Sequence, residues 1–174
     1  MINILDIDLI NNHSNKNIEY DMDLITNNIW LGNKDAAYNK QLLDKYNIKY
    51  IINATPDLEN KFENDGIKYL RIPIHDTELC EVKVNNKMYE LLIYSFKFIN
   101  EAIKNNVGVL VHCKKGHHRS ANILLFYYIY TYNTSYIKTL IMINYIRPEA
   151  LVRNTCINNW GMEIYKKIVE YRSS

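Results

Sequence analysis

Val107-Gly108-Val109-Leu110-Val111-His112-Cys113-Lys114-Lys115-Gly116-His117-His118-Arg119-Ser120-Ala121 is the stretch whose reading decides the fold. Val107 to Val111 is a short, continuous apolar run, the pattern of a central parallel strand covered on both faces. Ala121 to Tyr130 is apolar almost all round, which predicts a buried helix. Between them lies a seven-residue loop, Cys113 to Arg119. Backbone N–H groups at a helix N-terminus lack intrahelical partners and sit at the positive end of the helix dipole. A loop entering such a terminus can turn its amides inward and cradle a phosphate. Gly116, without a Cβ, permits the close turn this needs. Arg119 adds a planar fork of donors for two phosphate oxygens. Cys113 sits at the floor of this positive concavity, where a thiol of ordinary pKa near 8.5 is drawn toward the nucleophilic thiolate. A lone cysteine is most often packing; the preceding strand, Gly116 and Arg119 six residues on favour the nucleophile.

Outward from the loop, strand and helix patterns alternate. Leu24-Ile25, Asn27-Asn28 and Ile29-Trp30-Leu31-Gly32 read as two short strands around a turn. Lys34 to Tyr46 predicts a short amphipathic helix, Ile48 to Ala54 a β-branched strand, and Ile67 to Ile74 another strand closed by Pro73. Met88 to Ile103 keeps its apolar residues on one helical face, and Asn105-Asn106 ends it. Ser135 to Ile146 and Thr155 to Val169 supply two further helices. The expected fold is α/β: a single domain with a central, mostly parallel, twisted sheet of about five strands flanked by helices. Residues 1–21 read as an N-terminal extension, flexible or a docking arm, and 22–174 as the catalytic domain. No internal repeat or linker divides the chain.

Composition narrows the function. The 174 residues are 48% apolar and 23% charged, the balance of a soluble globular protein. With 21 basic against 19 acidic side chains, the chain has no general footprint for nucleic acid or membrane. Cys80, Cys113 and Cys156 are too few and too scattered for a disulfide framework, and no C-x-x-C pair suggests zinc. His117 and His118 stand without a carboxylate at ligand spacing, so no metal is expected and they read as donors at the loop rim. Met1-Ile2 begins neither a signal peptide nor a myristoylation motif, and no apolar run is long enough to span a bilayer. The expectation is an intracellular protein, cytoplasmic or nuclear, without cofactor.

His112-Cys113-Lys-Lys-Gly-His-His-Arg119-Ser120 resembles the H-C-x5-R-S/T loop of the protein tyrosine phosphatase superfamily. From about Asp21 to Tyr171 the chain is similar to its small dual-specificity members. Ile29-Trp-Leu-Gly-Asn33, Ile51-Ile-Asn-Ala-Thr-Pro-Asp-Leu-Glu59, Phe62-Glu-Asn-Asp-Gly-Ile67 and Ile72-Pro-Ile-His-Asp76 occur in the family's order. The resemblance implies metal-free, two-step chemistry. Cys113 is then the nucleophile, Asp76 the general acid and later base, and Arg119 with the Lys114–Arg119 amides the phosphate holder. Ser120 would stabilise the departing thiolate, while His112 would orient the loop. Glu78 is the competing carboxylate for the acid role. Cys80 is read as an ordinary free thiol, with a protective disulfide to Cys113 as the alternative, and Cys156 as helix packing. The Tyr127, Tyr128, Tyr130 and Tyr132 cluster reads as packing.

Lys114-Lys115 and His117-His118 depart from the loop common in dual-specificity members, and their added charge favours highly anionic substrates. Arg147-Pro-Glu-Ala-Leu-Val-Arg-Asn154 resembles the family's Arg-Pro…Pro-Asn stretch, with Arg153 where proline is usual. The expected substrates are phosphorylated proteins, carrying phosphotyrosine and phosphoserine or phosphothreonine. The second class is highly anionic phosphorylated small molecules (inositol phosphates and phosphoinositides) or RNA 5′-triphosphate. A non-catalytic phosphate-binding role is the third reading.

Overall fold

A five-stranded sheet organises the protein, and the computed structural model describes residues 21–75, 86–152 and 164–170. β1 (Met22–Thr26) and β2 (Ile29–Gly32) form an antiparallel hairpin. Asn27 and Asn28 turn it with φ of 44° and 64°, the left-handed pair that matches the twist of a two-residue hairpin. Two short helices follow, α1 (Lys34–Ala37) and α2 (Lys40–Lys45). The single helix expected over 34–46 is thus broken. Asn39 interrupts it by capping α2, its side chain accepting from the Leu42 amide at 3.1 Å, a local bond that competes with continuation of the first helix.

β3 (Ile48–Asn53) and β4 (Lys68–Arg71) pair in parallel. β4 is shorter than the expected 67–74 strand. Pro73 lacks an N–H for the ladder, and only the Ile72 amide continues the link, to the Asn53 carbonyl at 2.9 Å. Then come α3 (Asn86–Lys104), β5 (Gly108–His112), α4 (Arg119–Tyr132), α5 (Tyr136–Ile146) and α6 over 164–170. Strand order is β1-β2-β5-β3-β4, parallel throughout except for the β1–β2 edge. The mostly parallel α/β expectation holds.

β5 lies at the centre with all five residues buried, as its unbroken apolar run requires. Its side chains alternate between two cores. Val109 and Val111 join the larger one with Ile29, Leu31, Ile52, Phe96, Leu124 and Tyr127; Leu110 joins the smaller one with Ala36, Leu43, Ile51 and Ile67. Eleven consecutive residues of α4, Arg119 to Ile129, are buried. Tyr127 and Tyr128 in this helix are core residues with satisfied tips. The Tyr127 hydroxyl donates to Asn100 Oδ1 at 2.8 Å, the Tyr128 hydroxyl shares a 2.6 Å hydrogen bond with Thr26 Oγ1, and Tyr132 stacks on Tyr128. Asn47, Asn106 and Asn133 follow α2, α3 and α4 with φ near 50°–55°, the left-handed position that stops a helix. No helix among the described residues is long and apolar enough to cross a membrane.

Register sets the functional end. Gly32, His112, Asn53 and Arg71 stand side by side across β2, β5, β3 and β4. The loops leaving the carboxyl ends of these strands therefore converge, where open α/β sheets place their ligands.

His112 is fully buried at this row. Burial drives its pKa down to about 4, with the Arg71 and Arg119 charges adding and the Cys113 backbone opposing. Between pH 6.5 and 4 the unfolded chain takes up a proton at this ring that the folded chain refuses. Stability therefore falls as pH falls through that window, by up to about 3 kcal/mol. Replacing His112 by Gln should flatten the decline of Tm between pH 6.5 and 4; an unchanged slope would assign the acid sensitivity to other groups.

Candidate active site

From its start the loop after β5 is held by its carbonyls. The His112 carbonyl accepts from the Ala54 amide at 2.8 Å and the Lys114 carbonyl from the Lys34 amide at 3.2 Å. Arg147 takes the next two: Nη2 donates to the Lys115 carbonyl at 3.4 Å and Nε to the Gly116 carbonyl at 3.0 Å. The His117 carbonyl accepts from the Leu151 amide at 2.8 Å. That of His118 accepts from the amide and the side-chain Nδ2 of Asn122, at 2.9 and 3.0 Å. Five consecutive carbonyls, 114 to 118, are thereby tied to the surrounding protein. A backbone whose carbonyls are all bound on its outer side presents its N–H groups to the inner side, which is the construction of an anion nest.

The inner side holds Cys113, 2% exposed. The Gly116 amide donates to its Sγ at 3.2 Å and the Ser120 hydroxyl at 3.3 Å. Burial pushes the thiol up, yet the Ser120 hydroxyl and amide, the Arg119 charge and the Gly116 amide outweigh it, and the net shift is downward. A thiol shifted in this direction yields its nucleophilic thiolate more readily. Gly116 has φ of 71°, and a Cβ there would lie 2.5 Å from the Gly32 carbonyl oxygen and 2.9 Å from Arg147 Nη2. Glycine is required twice over, by conformation and by space. His118 enters α4 as its N-cap without a side-chain capping bond, which leaves the first-turn amides to the loop interior.

The expected site residues fall in three tiers. Cys113, Arg119 and Ser120 are buried together, with Arg119 6% exposed and its Nη1 donating to the Ile74 carbonyl at 3.3 Å. His112 lies beneath them; among the described residues neither ring nitrogen reaches a partner in good hydrogen-bonding geometry, and its depressed pKa makes it neutral at physiological pH. Lys114 and Lys115 are exposed at the rim, while His117 and His118 are half-buried. Burial, then the Arg147 and His118 charges, lower the pKa of His117, with Glu149 opposing. Asp76, Glu78, Cys80, Arg153, Asn154 and Cys156 lie outside the described residues.

Neighbouring loops are braced in the same manner. Asn53 Oδ1 accepts from the Thr55 amide and hydroxyl at 3.1 and 2.7 Å, and Asn53 Nδ2 donates to the Leu58 carbonyl at 2.8 Å. Arg71 Nη1 reaches the Thr55 carbonyl at 2.8 Å. Sequence reasoning placed Arg147 only inside a motif and gave Asp23 no part, yet they form a 2.6 Å ion pair behind the loop. The available signal was an arginine before Pro148 at the end of an apolar helix, where proline forces the preceding residue out of the helix and turns Arg147 to φ −128°.

Comparison with known proteins agrees with this geometry. Residues 29–166 match the family model described as dual specificity phosphatase, catalytic domain. The chain is 36% identical over 133 residues to dual specificity protein phosphatase Mpk3 of Drosophila melanogaster, covering 76% of this chain and 31% of that protein. It is 37% identical over 108 residues to dual specificity protein phosphatase 6 of Homo sapiens, covering 62% of this chain and 27% of the relative. This chain thus spans less than a third of the length of these curated relatives. Among solved structures, a mouse putative dual specificity phosphatase complexed with zinc tungstate superposes with a TM-score of 0.75 at 19% identity, over 90% of this chain and 94% of that one. The loop around Cys113, the strand register beneath it and the extent of the match together make this chain a member of the dual specificity phosphatase family, bearing its catalytic domain.

Proposed function

We propose that the chain hydrolyses phosphate monoesters on proteins, on phosphotyrosine and on phosphoserine or phosphothreonine, through a cysteinyl-phosphate. The observation that carries this is the 114–118 loop, its carbonyls bound outward around a thiol whose pKa is lowered. A substrate phosphate would sit on the loop amides with Arg119 bridging two oxygens. Cys113 Sγ would attack phosphorus in line, forming the S–P bond as the bond from phosphorus to the ester oxygen breaks. Asp76 would protonate the departing oxygen. The contact between Arg119 and the Ile74 carbonyl supports this role, since two residues of chain, at most about 7 Å of reach, separate Ile74 from Asp76. In the second half, Asp76 takes a proton from the attacking water, the S–P bond breaks, and the Ser120 hydroxyl holds the returning thiolate. Neutral His112 would pack beneath the loop and fix its start without adding charge.

The exposed Lys114 and Lys115 support a second substrate class, inositol phosphates and phosphoinositides or RNA 5′-triphosphate, whose extra anionic groups would meet the rim. Parallel assays on phosphopeptides, inositol polyphosphates and triphosphorylated RNA separate the two. Phosphopeptide turnover exceeding the others is expected; release confined to another class would overturn the protein-substrate reading.

Cys113→Ser should abolish hydrolysis of p-nitrophenyl phosphate, and wild-type turnover in that variant would sink the mechanism. Ser120→Ala should slow breakdown of the intermediate more than its formation. Rapid mixing should then show a burst of p-nitrophenol, with kcat down roughly 10- to 100-fold and kcat/KM little changed; parallel losses in both would place Ser120 in the first step instead. Asp76→Asn should lower kcat by roughly 100-fold or more and remove the basic limb of the pH–rate profile. An intact limb would transfer the role to another acid such as Glu78.

A further inference from the structure

The outer side of the phosphate loop meets a buried cation that the chemistry above does not use. Arg147 is 6% exposed and directs three nitrogens at three acceptors: Nε at the Gly116 carbonyl, Nη2 at the Lys115 carbonyl, and Nη1 at Asp23 Oδ2, 2.6 Å away and 124 residues earlier in the chain. The turn that begins at Arg147 also supplies the Leu151 amide to the His117 carbonyl. Leu151 holds φ of 60° there, a left-handed conformation costly for a side chain of this kind and tolerated where surrounding structure over-determines it. One turn therefore binds three successive loop carbonyls, and Asp23 on β1 fixes the guanidinium that binds two of them.

We propose that Arg147, clamped by Asp23, is a positioning residue: it holds the Lys115 and Gly116 peptides with their carbonyls outward, so that the amides which bind phosphate stay aimed at Cys113. The proposal rests on the reading of this loop as a phosphate site. A peptide plane that flips brings its carbonyl oxygen to where its N–H had been, so each unlatched carbonyl exchanges a donor for a repelling acceptor in front of an anion. Arginine is suited to the task because its rigid fork serves two carbonyls and a carboxylate at once, which the single ammonium of lysine does not. Asp23 matters because it supplies the charge that keeps this buried fork in place. β1 thereby gains a part in phosphate binding through Asp23.

The test uses the full chain with Arg147→Gln, Arg147→Lys, Asp23→Asn and the Arg147→Gln/Asp23→Asn double variant. Tungstate affinity is read by calorimetry, p-nitrophenyl phosphate kinetics by steady-state assay, and stability by thermal melting. Arg147→Gln should raise the tungstate Kd and lower kcat/KM by roughly 10- to 100-fold, the scale of a misplaced binding group. Arg147→Lys should regain melting temperature without regaining tungstate affinity. Asp23→Asn should weaken tungstate binding about three- to tenfold in the wild-type background and not at all in Arg147→Gln, because the two act as one unit. Lowered melting with wild-type tungstate affinity in Arg147→Gln would reduce the pair to packing. Should Arg147→Gln fail to fold, the near-isosteric Asp23→Asn decides alone, and wild-type tungstate affinity there overturns the proposal. A wild-type chain that binds tungstate but cleaves no ester would refute the phosphatase reading while leaving the latch standing through the affinity measurements; one that binds no tungstate overturns both.

Discussion

Each carbonyl from Lys114 to His118 has an appointed partner, and the rest of the site depends on that constraint. A phosphate cradle made of amides stores no charge of its own and has no side chain to tether it. Its direction must come from what its carbonyls bind. Here those partners are spread over the whole chain: the Lys34 amide after β2, the Arg147 guanidinium and Leu151 amide after α5, and Asn122 within α4. The nest is local in sequence and global in support.

The sheet makes that support affordable. β5 delivers His112 and Cys113 at the row where Gly32 and Asn53 also end their strands, so bracing loops arrive within one hydrogen bond of the cradle. α4, buried along eleven residues, anchors the far end and lends its N-terminal dipole. Burial would by itself keep Cys113 protonated. The Ser120 hydroxyl and amide, the Arg119 charge and the Gly116 amide overturn that bias and lower the pKa of the thiol despite its depth in the fold. His112 beside it responds to the same burial in the opposite electrical sense and stays neutral, so the floor of the site adds no cation that tracks pH.

The strand, the loop and the buried helix were legible because each is encoded locally. Val107 to Val111 reads as a covered strand, Cys113 to Arg119 reads as a loop with a thiol at one end and a guanidinium at the other, and Ala121 to Tyr130 reads as a helix without a solvent face. The break between α1 and α2 escaped notice, since Asn39 looks like any polar helix residue until its side chain is seen accepting from Leu42. β4 ends at Arg71, short of the Ile74 that the pattern suggests, because the ladder thins to the Ile72 amide before it reaches Pro73. Arg147 and Asp23 were invisible for a deeper reason: an ion pair across 124 residues leaves no periodicity and no spacing. What the sequence carries poorly is which distant side chain turns a backbone around.

The asparagines at helix and hairpin ends show where a side chain can take a position that otherwise favours glycine. Asn27, Asn28, Asn47, Asn106 and Asn133 all occupy left-handed conformations where glycine is the commoner choice, and the whole chain holds only five glycines. Asparagine can stand in for glycine wherever the only demand is a dihedral angle. At 116 the demand is also for room, since any Cβ would press on the Gly32 carbonyl oxygen. At this position an asparagine could meet the dihedral but not the space, so steric exclusion holds the residue to glycine.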